Sequence, residues 1–227
     1  MKFKKYNLIL AIGDDNKHIF EKNKKKLKNF ILVNNKTSLQ SILKKKIIKR
    51  IYIIHWGFKI PQYIINKYEC ISFHMSKLPY GIGGSPLQNL IIRNKKKSHL
   101  SIFKTSHKVD EGEIIKQLEF SLAGNADQIL NRVTKICINQ IVKLDKQTNI
   151  VSYKQIGKKT HFKRIKYHEN ELNFNSNLNY IYNQIRMVDS KLYKKSFIII
   201  DDYKLEFTKA SKFKKHILTN VKISKNV

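Results

Sequence analysis

The densest run of chemically capable residues is Cys70-Ile-Ser-Phe-His74-Met-Ser-Lys-Leu-Pro79-Tyr-Gly-Ile-Gly-Gly-Ser-Pro86-Leu-Gln88. Its first part, Glu69 to His74, reads as a short strand that delivers an imidazole to the strand's carboxyl end. In open α/β sheets, ligands bind at the carboxyl ends of strands. An imidazole there can take up or release a proton near neutral pH, as acid–base chemistry requires. A lone histidine is more often a satisfied structural residue, so its neighbours have to decide. Gly81, Gly83 and Gly84 lack the following Lys-Ser/Thr of a phosphate loop and the spacing of a dinucleotide fingerprint. They suit a tight turn whose backbone approaches a ligand closely. Ser85-Pro86 then opens a helix, with Ser as N-cap and Pro at the first helical position.

The elements that must position this loop follow from pattern. Tyr6 to Ile12, Phe30 to Val33, Arg50 to His55, Glu69 to His74, His99 to Lys104 and Glu113 to Phe120 read as strands, the last two joined around Asp110-Glu-Gly112. Ser38 to Lys49 and Pro61 to Tyr68 are helix-compatible. Asn125 to Leu144 has the apolar spacing of an amphipathic helix, with Asn125 or Asp127 at its cap. Strands alternating with helices predict an α/β domain with a mostly parallel, Rossmann-like sheet over residues 1–158. Residues 159–227 predict a small C-terminal subdomain: a helix from Leu178 to Ser190 and a hairpin of Phe197–Ile200 and Tyr203–Phe207 around Asp201-Asp202.

The chain has 227 residues and a net charge of +30. Of its 46 basic residues, only Arg50, Arg93, Arg132, Arg164 and Arg186 are arginine. Lys, Ile and Asn, all abundant here, share A/T-rich codons. Specific phosphate and base recognition favours the bidentate fork of arginine. A nucleic-acid module is expected to show a clustered basic face with interleaved aromatics, whereas these lysines are scattered. The charge therefore reads as a solvated surface, with nucleic acid not expected as a partner. No run approaches the roughly 18 apolar residues of a membrane span. The short first apolar run has no cleavage site of small residues, so a cytoplasmic protein is expected. Cys70 and Cys137 are far apart in apolar runs and read as buried free thiols.

The loop residues resemble the formyltetrahydrofolate-dependent formyltransferases of the methionyl-tRNA and glycinamide-ribonucleotide type. That family carries an Asn-x-His-x-Ser-Leu-Leu-Pro loop, a Gly-rich turn and an Asp-x-Gly-Asp loop. The counterparts here are Ser72-Phe-His74-Met-Ser76-Lys-Leu78-Pro79, Gly83-Gly84-Ser85-Pro86-Leu-Gln88 and Val109-Asp110-Glu111-Gly112-Glu113. The variant Phe-His-Met-Ser-x-Leu-Pro-Tyr-Gly-x-Gly-Gly-Ser-Pro-Leu-Gln is most similar to the branch that formylates nucleotide-linked 4-amino sugars. So is the upstream His55-Trp56-Gly57-Phe58-Lys59-Ile60-Pro61. Thr160-His-Phe-Lys-Arg164 and Ile185-Arg-Met-Val-Asp189 resemble two later family segments.

The resemblance implies a transferase whose donor is N10-formyltetrahydrofolate and which needs no metal. It implies His74 as the proton-handling group, Asp110 as its electrostatic partner, and Ser72 at the position of the family's Asn, the donor to the formyl oxygen. It places Trp56, Phe58, Lys59, Ile60 and Asp110 at the pterin. Ser76, Tyr80, Gly81, Gly83, Gly84 and Gln88 fall at the acceptor. The expected acceptor is a nucleotide-linked amino sugar destined for surface polysaccharide, with Lys77, Arg93 or Arg186 as candidate diphosphate cations and a homodimer as the family-level assembly. A methionyl-tRNA formyltransferase is the alternative, disfavoured because the last 60 to 70 residues are short for a tRNA-reading barrel. A glycinamide-ribonucleotide enzyme is disfavoured because acidic Ile12-Gly-Asp-Asp15 stands where its glycine loop belongs. A non-catalytic nucleic-acid-binding module is the remaining alternative.

Overall fold

The computed structural model describes residues 4–12 and 20–225. Two compact units are distinguished. One comprises Met1–Ile82, His99–Leu118 and Arg132–Thr160; the other comprises Gly83–Ser98, Glu119–Asn131 and His161–Val227.

The central sheet holds β1 (Lys5–Leu10), β2 (Phe30–Val33), β3 (Ile47–Ile53), β4 (Glu69–His74), β6 (Lys97–Lys104) and β7 (Ile114–Ser121), in the order β2-β1-β3-β4-β6-β7. The pairings β1–β2, β1–β3 and β3–β4 are parallel, and β4–β6 is antiparallel. Leu8, Leu10, Ile51, Ile53 and Cys70 from these strands share one core with Leu39 and Ile64. Leu39 belongs to helix α1 (Lys36–Lys45) and Ile64 to α2 (Gln62–Lys67). The near-continuous apolar runs of β1 and β3 are what a doubly covered parallel sheet demands. Strand order reverses at β1, which has β2 on one side and β3 on the other, so the loop after β3 leaves from a topological switch point.

Sequence periodicity overran α1. The helix stops at Lys45, and Ile47 and Ile48 are already strand, paired to Lys5 and Tyr6. A lysine run favours neither state, so the sheet's register sets the boundary. The long helix α4 (Ala126–Asp145) matches its expected span, and Asn125 caps it by accepting from the Gln128 amide at 3.0 Å. Its far end is held by β3. Arg50, only 3% exposed, donates to the carbonyls of Leu144 (2.7 Å) and Gln147 (3.1 Å) and pairs with Glu69 at 2.5 Å. Lys49 donates to the carbonyl and carboxylate of Asp145, each at 2.7 Å. Cations on the orphan carbonyls satisfy the helix end and its dipole together.

In the second unit, α3 (Pro86–Ile92) begins at Pro86 as the sequence implies. Ser85, however, lies in the left-handed region with φ 49° and makes no side-chain cap; its hydroxyl accepts from the Ile165 amide at 3.1 Å instead. Helix α5 (Leu178–Arg186) ends four residues earlier than expected, and its Ile181 and Ile185 pack with Phe207 and Leu172. Strands β9 (Ser196–Ile200), β10 (Tyr203–Lys212) and β11 (Ile217–Lys225) form an antiparallel sheet in the order β11-β10-β9. The expected hairpin is β9–β10; β11 is an additional strand. Short β5 (Ile82–Gly83) and β8 (His161–Phe162) pair separately. Both cysteines are buried and free, and among the described residues no helix is long and apolar enough to cross a membrane.

His55, just past β3, is held at φ 48° with its Nε2 2.9 Å from the Thr134 hydroxyl. Burial pushes its imidazole down to about 4. As pH falls the unfolded chain binds this proton first, so the stabilisation is complete above about 6.5 and is lost between there and about 4. Allowing for the ring's partial exposure, the loss is on the order of 2 kcal/mol. Urea unfolding across that window checks it, since His55→Asn should flatten this part of the pH dependence. Arg50→Ala should lower the unfolding free energy by about 3 kcal/mol, because it removes a buried guanidinium that holds Glu69 and the carbonyls of Leu144 and Gln147 together. Glu69→Gln should cost less than half as much in the same urea titration.

Candidate active site

Within the first unit, β4 places Ser72 and His74 on one face, two residues apart. The His74 ring is buried, at 8% exposure. Its Nε2 lies 2.8 Å from the Gly81 carbonyl oxygen, and its Nδ1 lies 3.5 Å from Asp110 Oδ2. A carbonyl can only accept, so Nε2 carries a proton. The nitrogen left to exchange protons is Nδ1, on the side of the carboxylate. The arrangement is a carboxylate beside an imidazole whose other nitrogen is pinned.

Both partners are built by backbone devices. The loop that carries the Gly81 carbonyl is closed by buried hydroxyls. Ser76 Oγ donates to that carbonyl at 3.2 Å, and Ser101 Oγ donates to the Ser76 carbonyl at 2.6 Å. Gln117 donates to the Leu78 carbonyl and to Ser101 Oγ, and the Gly81 amide donates to Thr160 Oγ1 at 2.8 Å. The acidic loop turns back on the end of β6. Asp110 adopts φ 56°, and a Cβ at Gly112 would lie 1.6 Å from the Lys104 carbonyl oxygen, so only glycine fits there. Gln155 donates to the carbonyls of Asp110 (2.8 Å) and Gly112 (2.9 Å), and Glu111 pairs with Lys159.

Ser72 Oγ lies 2.8 Å from Thr105 Oγ1. Thr105 sits one residue beyond β6, with its amide on the Cys70 carbonyl at 2.8 Å. Sequence reading misses Thr105, as it misses Gln155, because each belongs to a segment remote from the motif. Trp56 and Phe58 meet edge to face at 5.5 Å after β3, and Lys36 Nζ lies 4.3 Å above the Phe58 ring. Trp56 leans on the core, Ile60 is buried in it, and Phe58 (43% exposed) and Lys59 face outward. Ser76 is fully buried, with its hydroxyl spent inside the loop.

Gly83, Gly84 and Gln88 belong to the second unit. A Cβ at Gly83 would meet the Phe162 carbonyl at 2.8 Å, and one at Gly84 would meet Arg164 Cβ at 2.7 Å. The close approach that these glycines permit is to the chain's own β8 segment. Gln88 is buried and hydrogen-bonded to Tyr193, whose phenol burial pushes upward. Arg93 donates to Asn89 and lies over the Phe162 ring, at 4.8 Å from its centroid. Buried Arg186 donates to the carbonyls of Leu122 (2.8 Å) and Gly124 (2.7 Å). Both candidate diphosphate arginines are thus engaged internally.

Residues 167–224 match the model of the C-terminal domain of methionyl-tRNA formyltransferase. A solved methionyl-tRNA formyltransferase from Clostridium thermocellum is 34% identical, with a TM-score of 0.88 over 97% of this chain and 99% of that one. The curated methionyl-tRNA formyltransferase of Rickettsia canadensis is 33% identical over 46% of this chain and 36% of its own length. That of Ehrlichia canis is 26% identical over 71% and 53% respectively. The chain thus spans between a third and just over half of the curated relatives it matches. A 4-N formyltransferase from Francisella tularensis shares the fold at 18% identity, with a TM-score of 0.65 over 87% of this chain and 93% of that one.

These relations overturn the nucleotide-linked amino sugar as acceptor, with its surface-polysaccharide destination, and the exclusion of nucleic acid as a partner. The strong similarities run to methionyl-tRNA enzymes, and the 4-N formyltransferase shares the fold alone. The arginines assigned to a sugar diphosphate hold the protein's own backbone instead. The segment judged too short for a tRNA-reading domain is the one that the family model matches. The chain belongs to the formyltransferase family, and within it to the methionyl-tRNA formyltransferase-like group.

Proposed function

We propose that the chain transfers the formyl group of N10-formyltetrahydrofolate to the α-amine of a methionyl-tRNA. The observation that carries this reading is the pinned imidazole, His74 between the Gly81 carbonyl and Asp110, in a chain related over nearly its whole length to a methionyl-tRNA formyltransferase. The net charge of +30 supports a polyanionic acceptor.

The amine attacks the formyl carbon, a C–N bond forms, and the formyl oxygen gains negative charge. His74 Nδ1 takes a proton from the attacking amine, and Asp110 stabilises the ring while it is protonated on both nitrogens and carries one positive charge. The tetrahedral intermediate collapses by breaking the bond to N10 of the folate, which takes as it leaves the proton that His74 accepted from the amine. The developing oxyanion needs a donor aimed at it. In the Ser72–Thr105 pair one hydroxyl donates to the other and the second keeps a free proton, polarised by its partner. Trp56 and the outward face of Phe58 offer the flat pterin an aromatic ledge, backed by Ile60 in the core. Tyr80 and Gly81 lie on the acceptor side of the loop.

A formyl-transfer assay with purified protein, followed by mass gain of the acceptor, tests the reading. Methionyl-tRNA should be formylated, and transfer to a different amine alone would sink the acceptor assignment. His74→Asn should lower kcat by roughly 10³-fold with an unchanged melting temperature; activity near wild type would refute its role. Ser72→Ala and Thr105→Val should each cost kcat roughly 10²-fold. The double variant should be no worse than either alone, because the pair acts as one donor. Multiplying losses would mean two separate roles.

A further inference from the structure

The tip of the β10–β11 hairpin combines a stacked pair of rings with a run of lysines. From Tyr203 to Lys225 the chain carries seven lysines against one glutamate, Glu206, which pairs with Lys204 at the opposite end of the hairpin. At the tip, Lys212-Phe213-Lys214-Lys215-His216 is exposed throughout. Phe213 donates its amide to the His216 carbonyl at 2.9 Å, which closes the turn. Their rings stack at 4.8 Å with 14° between planes, and Phe213 remains 48% exposed. Lys212 is anchored to Asn179 at 3.0 Å. Among the described residues no carboxylate forms an ion pair with the ammonium group of Lys209, Lys214 or Lys215.

We infer that this tip is a binding platform for an unpaired strand of RNA, with the Phe213–His216 pair stacking a base and Lys209, Lys214 and Lys215 neutralising the flanking phosphates. The inference deepens the reading of a tRNA acceptor and rests on it for the choice of RNA. A stacked pair presents one flat π-face of fixed orientation, which any base can cover. Basic residues interleaved with aromatics are the footprint of single-strand binding. Here that footprint is compressed into five residues of one turn. The backbone around it is set as well. A bulge between Thr208 and Ser211 puts Lys209 at φ 53°, and its amide donates to buried Asp189 at 2.9 Å. A non-glycine residue in the left-handed region, held by a buried carboxylate, is a constrained position and not a frayed loop end.

The test is fluorescence anisotropy of the full chain with a labelled 12-nucleotide single-stranded RNA, a duplex of the same sequence, and vesicles containing phosphatidylserine. Each probe is titrated at several KCl concentrations. Phe213→Ala should weaken single-strand binding roughly 10-fold and leave the salt slope unchanged, since it removes a stack and no charge. Lys214→Ala/Lys215→Ala should make the logarithmic salt slope shallower by about 1.4. Lys24→Ala/Lys25→Ala removes equal charge elsewhere and should do neither. If the two double variants act alike and Phe213→Ala changes affinity less than 2-fold, the attraction is diffuse and the platform is refuted. Tighter binding to duplex or to vesicles than to the single strand refutes it equally. In formyl transfer, Phe213→Ala should raise KM for methionyl-tRNA and leave kcat intact. A chain that binds the single strand through Phe213 but formylates a different amine would sink the acceptor reading and leave this surface standing.

Discussion

At position 112 there is no room for a side chain, because a Cβ would overlap the carbonyl oxygen of Lys104. Most of the site depends on that backbone contact. It lets the acidic loop fold back on the end of β6, and Gln155 secures the loop by bridging the carbonyls on either side of Glu111. Asp110 is thereby presented, through a left-handed backbone, to the imidazole at the end of β4. The imidazole is fixed from its other side by the Gly81 carbonyl, which a set of buried hydroxyls holds in place. Both loops are held from within the fold, one by buried hydroxyls and Gln117 and the other by Gln155 and the Glu111–Lys159 pair. Groups held this way have little conformational freedom left to lose.

Much of this was legible in the sequence. The run Glu69 to His74 is a strand with the bounds its pattern gives, and Asn125 caps the long helix as its type and position imply. The motif pairs His74 with Asp110, and the structure brings them together. What escaped has identifiable causes. Lysine-rich stretches carry little preference, so the end of α1 is decided by the sheet. The strand β11 alternates well, but the turn before it, Lys212 to His216, holds none of the glycine, proline or asparagine that announces a hairpin. Thr105 and Gln155 join the site by tertiary contact, and no local signal marks them. The motif alone misreads the acceptor, and the likeness to a methionyl-tRNA formyltransferase corrects it.

The lysines divide into kinds that composition cannot separate. Some finish the fold. Lys49 closes the end of α4, and Lys159 fixes the acidic loop through Glu111. Others lie along the surface, and a few gather at the tip of one hairpin. That Lys, Ile and Asn share A/T-rich codons bears on their abundance and not on their placement. A charge counted over the whole chain hides that Lys212, Lys214 and Lys215 gather in one turn around Phe213.

The third strand carries a hazard of its own. β11 is the outer strand of its sheet, nine residues long, and Leu218, Val221 and Ile223 are largely open to solvent. An edge of that length and character invites a foreign strand to add on and seed a fibril. Lys222 sits between Val221 and Ile223, Lys225 ends the strand, and Lys214 and Lys215 precede it. An incoming copy would bring the same cations against them. The positive charge therefore serves as a gatekeeper against self-templating, and its protection fades as salt screens it. A genome drifting toward lysine codons would tolerate such an edge, and one drifting back would have to blunt it by other means.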